Sequence, residues 1–234
     1  METHQIVKDS TNGPYSGGMG TSSQSKGVRV NSTTPSITRA DMAAAKQNIR
    51  ARIRARRAAH PRPDLDEAIA AHAACIAHGA SQVAAYYPTA GEPGGCALLP
   101  ALSRQCRPLI PRTLPGHAMD LGWADGPLIP AHFGAQEPAA GGHSFSTCDL
   151  IFVPALACTP QGLRLGQGGG FYDRALGGDS NVPTIALLYD EEVLDELPIE
   201  DHDMRVCGII TPSGLIWCGP QLEMEMHQPC RPEA

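Results

Sequence analysis

Short apolar runs, each next to proline or glycine, are the feature that most limits the fold. Five such runs are SQVAAYYP (81–88), RPLIP (107–111), DLIFVPAL (149–156), VPTIALLY (182–189) and VCGIITPSGLI (206–216). Three of them are almost continuously apolar, which is typical of strands buried on both faces. Helical patterns fall between them: GGCALLPALSRQ (94–105), YDRALGG (172–178) and EEVLDEL (191–197). This alternation predicts a parallel sheet with helices on its faces.

The predicted fold class is therefore α/β: a single three-layer α/β/α domain, Rossmann-like, with a mostly parallel sheet. The 234 residues, 42% of them hydrophobic, suffice for one such core. We expect this domain to span residues 38–220. Of the residues 10–37, 21 of 28 are Ser, Thr, Gly, Asn, Pro or Gln, so we expect 1–37 to be a disordered extension and 221–234 a tail.

The charge distribution limits the partners. Residues 1–60 carry ten Lys or Arg and three acidic residues, whereas the remainder is acidic and the net charge is −6. A local basic patch on an acidic body favours a small anionic ligand over nucleic acid.

The sequence has no signal-peptide core and no apolar stretch of about 18 residues, so no membrane partner is predicted. We expect a cytoplasmic monomer. Its eight cysteines should be reduced, because the sequence shows no secretory signal and the cysteines are not clustered.

The stretch TRADMAAAKQNIRARIRARRAA (38–59) predicts a helix with one basic face. Thr38 and Asp41 have the spacing of a capping box. Four cations follow one helical row: Lys46, Arg50, Arg54 and Arg57. Because like charges at this spacing repel one another, the row is either a solvated face or the binding surface for an anion.

Two further patterns carry less information. DLDEAIAAHAACIAHG predicts a second helix, with Asp64 as its N-cap and Gly79 just past its end. In the stretch 190–205, eight of sixteen residues are acidic, which by itself indicates a solvated face.

The stretch GLRLGQGGGFYDRAL (162–176) is the strongest candidate for a binding site. Its glycines at 166, 168, 169 and 170 allow backbone N–H groups to form a concave row of donors, and a helix starting near Phe171 would favour an anion there. Arg164 and Arg174 flank the row with charge, and Asp173 suits Mg²⁺. The pattern is neither a P-loop nor a dinucleotide fingerprint. A nucleoside triphosphate is the leading hypothesis, and a mobile surface loop is the alternative.

The same stretch closely resembles the signature of the 5-formyltetrahydrofolate cyclo-ligase family. Further landmarks of that family occur in the right order: KQNIRARIRARR, YYPTAGEP (86–93), FGAQEP (133–138), DLIFVPALAC and DHDMRV (201–206). The resemblance covers about residues 40–215. It implies an enzyme that uses ATP and Mg²⁺ to convert 5-formyltetrahydrofolate to 5,10-methenyltetrahydrofolate, with release of ADP and phosphate.

The resemblance also implies roles for individual residues. It assigns the catalytic roles to Arg164, Tyr172 and Asp173. It implies an ATP site formed by Lys46, Arg50, Arg164, Gly166, Gln167, Gly168, Gly169, Gly170, Phe171 and Tyr172. By the same likeness Tyr87, Glu92 and Phe133 would face the folate, and Asp173 and Asp203 would bind magnesium.

The sequence departs from the family pattern at three loop positions. Gln167 stands where many relatives have an aromatic or basic residue, Gly169 replaces Lys or Arg, and Phe171 replaces a frequent Tyr. Charge neutralisation in the loop would then depend more on Arg164, Arg174 and the basic helix.

Two alternatives remain open from the sequence. One is a non-catalytic folate- or nucleotide-binding protein, and the other is a different phosphoryl-ligand enzyme, such as a sugar-phosphate isomerase, on a related scaffold. An isomerase would need no ATP.

Overall fold

The computed structural model describes residues 38–131, 134–177, 181–198, 200 and 203–218. The predicted extension (1–37) and tail (221–234) lie outside these residues, so the domain boundaries stay predictions. The first helix, α1, spans Arg39–Ala59. Its predicted capping box is confirmed, because the Asp41 N–H donates to Thr38 Oγ1 (3.2 Å) and the Thr38 N–H donates to Asp41 Oδ2 (3.1 Å).

The second helix, α2, spans Pro63–Ile76, and its predicted start was wrong. Arg62, not Asp64, is the N-cap, and it makes no side-chain capping bond. Pro63 explains the earlier start, since its fixed φ suits the first helical position and it has no N–H to satisfy. Asp64 instead lies in the first turn, where its charge favours the helix N-terminus.

The remaining helices and all strands are short. The further helices are α3 (Leu98–Leu102) and α4 (Phe171–Leu176). The strands are β1 (Val83–Ala84), β2 (Leu109–Thr113), β3 (Met119–Trp123), β4 (Leu128–Pro130), β5 (Gln136–Pro138), β6 (Leu150–Pro154), β7 (Ala157–Cys158), β8 (Arg164–Leu165), β9 (Thr184–Leu187), β10 (Gly208–Thr211) and β11 (Gly214–Trp217).

Seven of these strands form the main sheet, in the order β11-β10-β9-β6-β1-β2-β3. The five inner strands are parallel, and the edge strands β3 and β11 run antiparallel to their neighbours. Two antiparallel pairs, β4 with β5 and β7 with β8, form separate two-stranded sheets. The prediction of an α/β fold with a mostly parallel sheet is confirmed, and all five apolar runs contain strands.

The main sheet is covered by apolar packing on both faces. On one face, Ile69 of α2 and Leu98 of α3 pack in a cluster with Phe152 of β6, and all three are almost completely buried. On the other face, Leu176 of α4 packs in a cluster with Ile151. Because β6 is buried on both faces, its side chains are apolar without alternation.

Helix α1 packs beside β7 and β8 through a separate apolar cluster that includes Ile53, Ala157 and Leu165. Since β8 leads directly into the glycine-rich loop, this cluster fixes the basic helix next to that loop.

The helix predicted over EEVLDEL was wrong. Residues Asp190–Glu192 form one short 3-10 turn, and the backbone then turns to pair with β7. Val193 bridges Cys158, and the Leu194 N–H donates to the Cys158 carbonyl (2.8 Å). This pairing outweighs the local helical preference.

Two expectations from composition can be compared with the described residues. Their seven cysteines are free thiols, and burial raises the pKa of Cys148 to about 11. None of the helices in the described ranges is long and apolar enough to cross a membrane.

Candidate active site

The glycine-rich loop leaves β8 at Leu165 and ends where α4 begins at Phe171. Gly168 (φ +101°) and Gly170 (φ +66°) have left-handed backbones, a conformation that other residues rarely adopt. A side chain at position 170 would also bring its Cβ within 2.7 Å of Arg174 Nη1. The backbone at these two positions therefore favours glycine.

Arg164, in β8 just before the loop, bonds to residues of two other segments. Its Nη2 donates to Asp173 Oδ1 (2.8 Å) and its Nη1 donates to the Pro154 carbonyl (3.0 Å), while only 4% of the residue is exposed. Its buried Nε has no hydrogen-bond partner within the described residues. The structure thus brings two predicted catalytic residues into contact and leaves one buried donor unused.

Helix α1 turns its cations toward the loop. Arg50 Nε donates to the Gly166 carbonyl (3.0 Å). Arg54 Nη2 donates to the carbonyl (2.7 Å) and to the side-chain Oε1 (2.9 Å) of Gln167. The interpretation of this row as a solvated face is wrong for Lys46 and Arg57, which are buried, whereas Arg54 stays exposed although it bonds to the loop.

Lys46 lies one turn before Arg50 and is 5% exposed. Its Nζ donates to Asp203 Oδ2 (2.6 Å) and to Glu200 Oε2 (2.9 Å). Burial alone would lower the pKa of Lys46, but the hydrogen bonds that Lys46 donates to Asp203 and Glu200, together with their charges, outweigh it, so the pKa is raised. A predicted ATP ligand and a predicted metal ligand therefore form an ion pair.

The two predicted magnesium ligands are neighbours. Asp173 Oδ1 accepts the N–H of Met204 (3.3 Å), the residue after Asp203. Both carboxylates also act on Arg50, since their charges oppose the burial that lowers its pKa. Two carboxylates suit Mg²⁺, which fills its other positions with water and phosphate oxygens. No group of three or more His, Cys, Asp or Glu with metal-binding geometry occurs in the described part of the chain.

Glu92, a predicted folate ligand, also reaches the loop. Its Oε2 accepts from the Thr89 N–H and hydroxyl (both 2.8 Å), and its Oε1 accepts from Gln167 Nε2 (3.3 Å). Tyr172 is close enough to respond: burial first, and the Glu92 charge second, raise its pKa above the usual range, against the opposing effect of Arg164.

The other two predicted folate ligands are less well defined. Tyr87 is half-buried and follows β1 at the carboxyl edge of the sheet. Phe133 lies outside the described residues. At the end of the loop, the Phe171 ring centroid lies 5.3 Å from that of His117. The Arg174 guanidinium lies over the Phe171 ring, 5.4 Å from its centroid.

Further contacts that support this site were not predicted from the sequence. Arg57 Nε and Nη2 donate to the two oxygens of Glu192 (2.9 and 2.6 Å), which is completely buried. Asp66 Oδ1 accepts the Tyr189 hydroxyl (2.8 Å) and the Gly94 N–H (3.0 Å), so it holds the segment after Glu92. The solvated-face interpretation of the acidic stretch is wrong for Glu192, and no local pattern in the sequence indicated its partner.

A cavity of about 510 Å³ lies between β3 and α4. Its lining includes Asp120, His143, Phe145 and Ala175, and it includes none of the predicted site residues. The candidate site is thus defined by polar contacts around the loop and not by this cavity.

An α/β domain with cations and carboxylates around a glycine-rich loop has the features of an anion-binding protein. Comparison with known proteins narrows this class. The sequence pattern of the 5-formyltetrahydrofolate cyclo-ligase family matches residues 42–212. This chain belongs to that family.

Individual relatives support this family assignment. The 5-formyltetrahydrofolate cyclo-ligase of Mycolicibacterium smegmatis is 38% identical over 141 residues, which are 56% of this chain and 73% of that protein. The enzyme of the same name from Escherichia coli K12 is 36% identical over 70 residues, 29% of this chain and 38% of that protein. The NMR structure of Aquifex aeolicus 5,10-methenyltetrahydrofolate synthetase has a TM-score of 0.64 at 24% identity, covering 78% of this chain and 98% of that one, and shows the same fold. The predicted family and enzyme class are confirmed.

Proposed function

We propose that this enzyme converts 5-formyltetrahydrofolate to 5,10-methenyltetrahydrofolate and consumes ATP, releasing ADP and phosphate. The family supports the reaction, and one observation supports the use of a nucleotide: two arginines of α1 bond to the glycine-rich loop through neutral oxygen atoms. Their positive charge is thus available beside backbone N–H groups, where an anionic ligand would bind.

The nucleotide site extends from α1 to α4. Lys46 and Arg50 approach the triphosphate from α1, and Arg164 approaches it from β8. The backbone from Gly166 to Tyr172 surrounds the terminal phosphates. The unused Nε of Arg164 is consistent with an anionic ligand, since buried donors seldom stay without a partner.

Asp173 and Asp203 would hold the magnesium ion. It would supply positive charge to the phosphate oxygens during transfer. Asp203 is paired with Lys46 in the structure, so metal binding requires the Lys46 ammonium group to move from this carboxylate toward the phosphates.

Glu92, Tyr87 and Phe133 would bind the folate. Glu92 is well placed for this role because Thr89 and Gln167 already fix its carboxylate beside the loop. Tyr172 is half-buried, with the Arg164 guanidinium 5.9 Å from its ring. Its raised pKa keeps it protonated at neutral pH, so it can donate a hydrogen bond to the substrate.

The chemistry needs positioning more than a protein nucleophile. The formyl oxygen attacks the γ-phosphorus of ATP, and ADP leaves. The neighbouring arylamine nitrogen then adds to the activated carbon and loses its proton, and phosphate departs to leave the methenyl bridge. Arg164, Lys46 and the loop N–H groups neutralise the charge on the transferred group.

The direct test mixes the protein with 5-formyltetrahydrofolate and Mg-ATP and follows the near-ultraviolet absorbance of the methenyl product. We expect ATP-dependent product formation and a loss of about 100- to 1,000-fold in turnover for Asp173→Asn and Arg164→Ala. Asp125→Asn, a change at an exposed aspartate paired with Arg107, is the matched control and should retain wild-type turnover. Product formed without ATP would contradict the proposal.

Three further expectations belong to this proposal. The domain is a three-layer, Rossmann-like one, and the protein is a cytoplasmic monomer. A variant without residues 1–37 should turn over at the wild-type rate, and a loss of activity in that variant would contradict the disordered-extension prediction.

A further inference from the structure

The side chain of Gln167 lies between two groups of opposite charge. Its Oε1 accepts hydrogen bonds from Arg54 Nε (3.1 Å) and Nη2 (2.9 Å). Its Nε2 donates to Glu92 Oε1 (3.3 Å). One exposed glutamine thus joins the basic helix, the glycine-rich loop and the carboxylate proposed to face the folate.

Gln167 supplies one of three hydrogen bonds that hold the Glu92 carboxylate. Thr89 holds only Oε2, through its N–H and its hydroxyl. Oε1 is bound by the Gln167 amide, so movement of the loop at position 167 also removes a hydrogen bond from Glu92.

The chemistry of an amide suits this position. A glutamine side chain accepts through its oxygen and donates through its nitrogen at the same time. A Lys or Arg at position 167 would repel Arg54, and a Glu would repel Glu92. An aromatic side chain could not make both bonds. The residue that departs from the family pattern therefore matches both of its neighbours.

We infer that Gln167 is a positioning residue that couples the nucleotide site to the folate site. The inference rests on the proposed function. Nucleotide bound under the loop fixes Gln167, and Gln167 then fixes Glu92 for the folate. Because such coupling is reciprocal, each ligand raises the affinity for the other by the same factor.

Calorimetry with the full chain tests this inference. The probes are a Mg-bound ATP analogue with a methylene group between its β- and γ-phosphates, and 5-formyltetrahydrofolate, each titrated with and without the other. We expect each ligand to bind the wild type at least about fivefold more tightly when the other is present. Gln167→Met has a similar length but makes neither bond, so the coupling factor should fall to within twofold of one.

Two variants separate coupling from a structural effect. Gln167→Glu keeps an acceptor for Arg54 but sets a carboxylate against Glu92, so it should weaken folate binding at least about tenfold more than analogue binding. Gln105→Met changes an exposed glutamine bonded to His78 and should leave the coupling unchanged.

The outcomes distinguish the coupling from the function. Binding of both ligands without coupling in the wild type, coupling retained in Gln167→Met, or equal losses for both ligands in Gln167→Glu would overturn the inference and leave the proposed function standing. Failure of the wild type to bind either ligand would overturn both.

Discussion

The four cations on one row of α1 have two different environments. Lys46 and Arg57, at the two ends, are buried and form ion pairs with carboxylates: Asp203 and Glu200 at one end, Glu192 at the other. Arg50 and Arg54, between them, bond to the neutral carbonyl and amide oxygens of the glycine-rich loop.

The difference separates cations held in buried ion pairs from cations whose charge is directly available to a ligand. Lys46 reaches a ligand only after it leaves Asp203, as the proposed metal binding requires. A buried ion pair has little net charge to offer, and breaking it leaves an uncompensated charge in the interior. An arginine bonded to a carbonyl keeps its full charge, which a phosphate can then share. The middle of the row is therefore the part of α1 that can bind an anion without first breaking an ion pair.

The largest effect is expected at Arg57, the end of the row that is paired with the buried Glu192. Arg57→Met leaves the buried Glu192 carboxylate without its bidentate partner and should lower the free energy of unfolding by about 3–5 kcal/mol. Denaturant unfolding measures this loss. In Arg57→Met/Glu192→Met most of it should be recovered, because both charges are gone. A single variant as stable as the wild type would show that the pair is not structural.

A smaller effect, on binding and not on stability, is expected in the middle of the row. Arg50→Ala should weaken binding of Mg-ATP by roughly 10- to 100-fold, the value of a hydrogen bond to a charged group. The free energy of unfolding should change by less than about 1 kcal/mol, because only one bond to the Gly166 carbonyl is lost. Arg52→Ala, an exposed position on the same helix, is the control. Equal ATP affinities in the two variants would show that Arg50 does not bind the nucleotide.

The smallest effect concerns Tyr189, which packs near Arg57 and bonds to Asp66. Burial first, and Asp66 second, raise the pKa of Tyr189 above its usual value near 10. In the folded protein, Tyr189 therefore keeps its proton up to a higher pH than it does in the unfolded protein. This contribution to stability is complete below about pH 10 and is lost as the pH rises further.

The measurement is urea unfolding at pH 8 and above pH 10. Stability of the wild type should fall by up to about 1.4 kcal/mol per pH unit for this one group, and Tyr189→Phe should remove that part of the slope. An identical slope in the variant would contradict the account of Tyr189.

Local signals in the sequence predicted the elements well. The capping residues of α1 and the apolar runs gave the first helix and the strands, because these features depend on neighbours in sequence. The predicted start of α2 was wrong because Pro63, and not a residue after Asp64, takes the first helical position. The predicted helix over EEVLDEL was wrong because Val193 and Leu194 pair with a strand distant in sequence.

The candidate site divides in the same way. The glycine pattern indicated an anion site, and the family resemblance supplied the residues to consider. The partners were beyond the sequence: Lys46 with Asp203, Arg57 with Glu192, and Gln167 with both Arg54 and Glu92. Each of these pairs joins positions at least 75 residues apart, so only the folded sheet brings them together.

Titration of Mg-ATP into the folded protein and into Arg50→Ala/Arg54→Ala tests the central claim most directly. The account predicts saturable one-site binding to the wild type that the double variant loses by at least about 100-fold while remaining folded. Equal binding by both proteins, or no binding by the wild type, would contradict it.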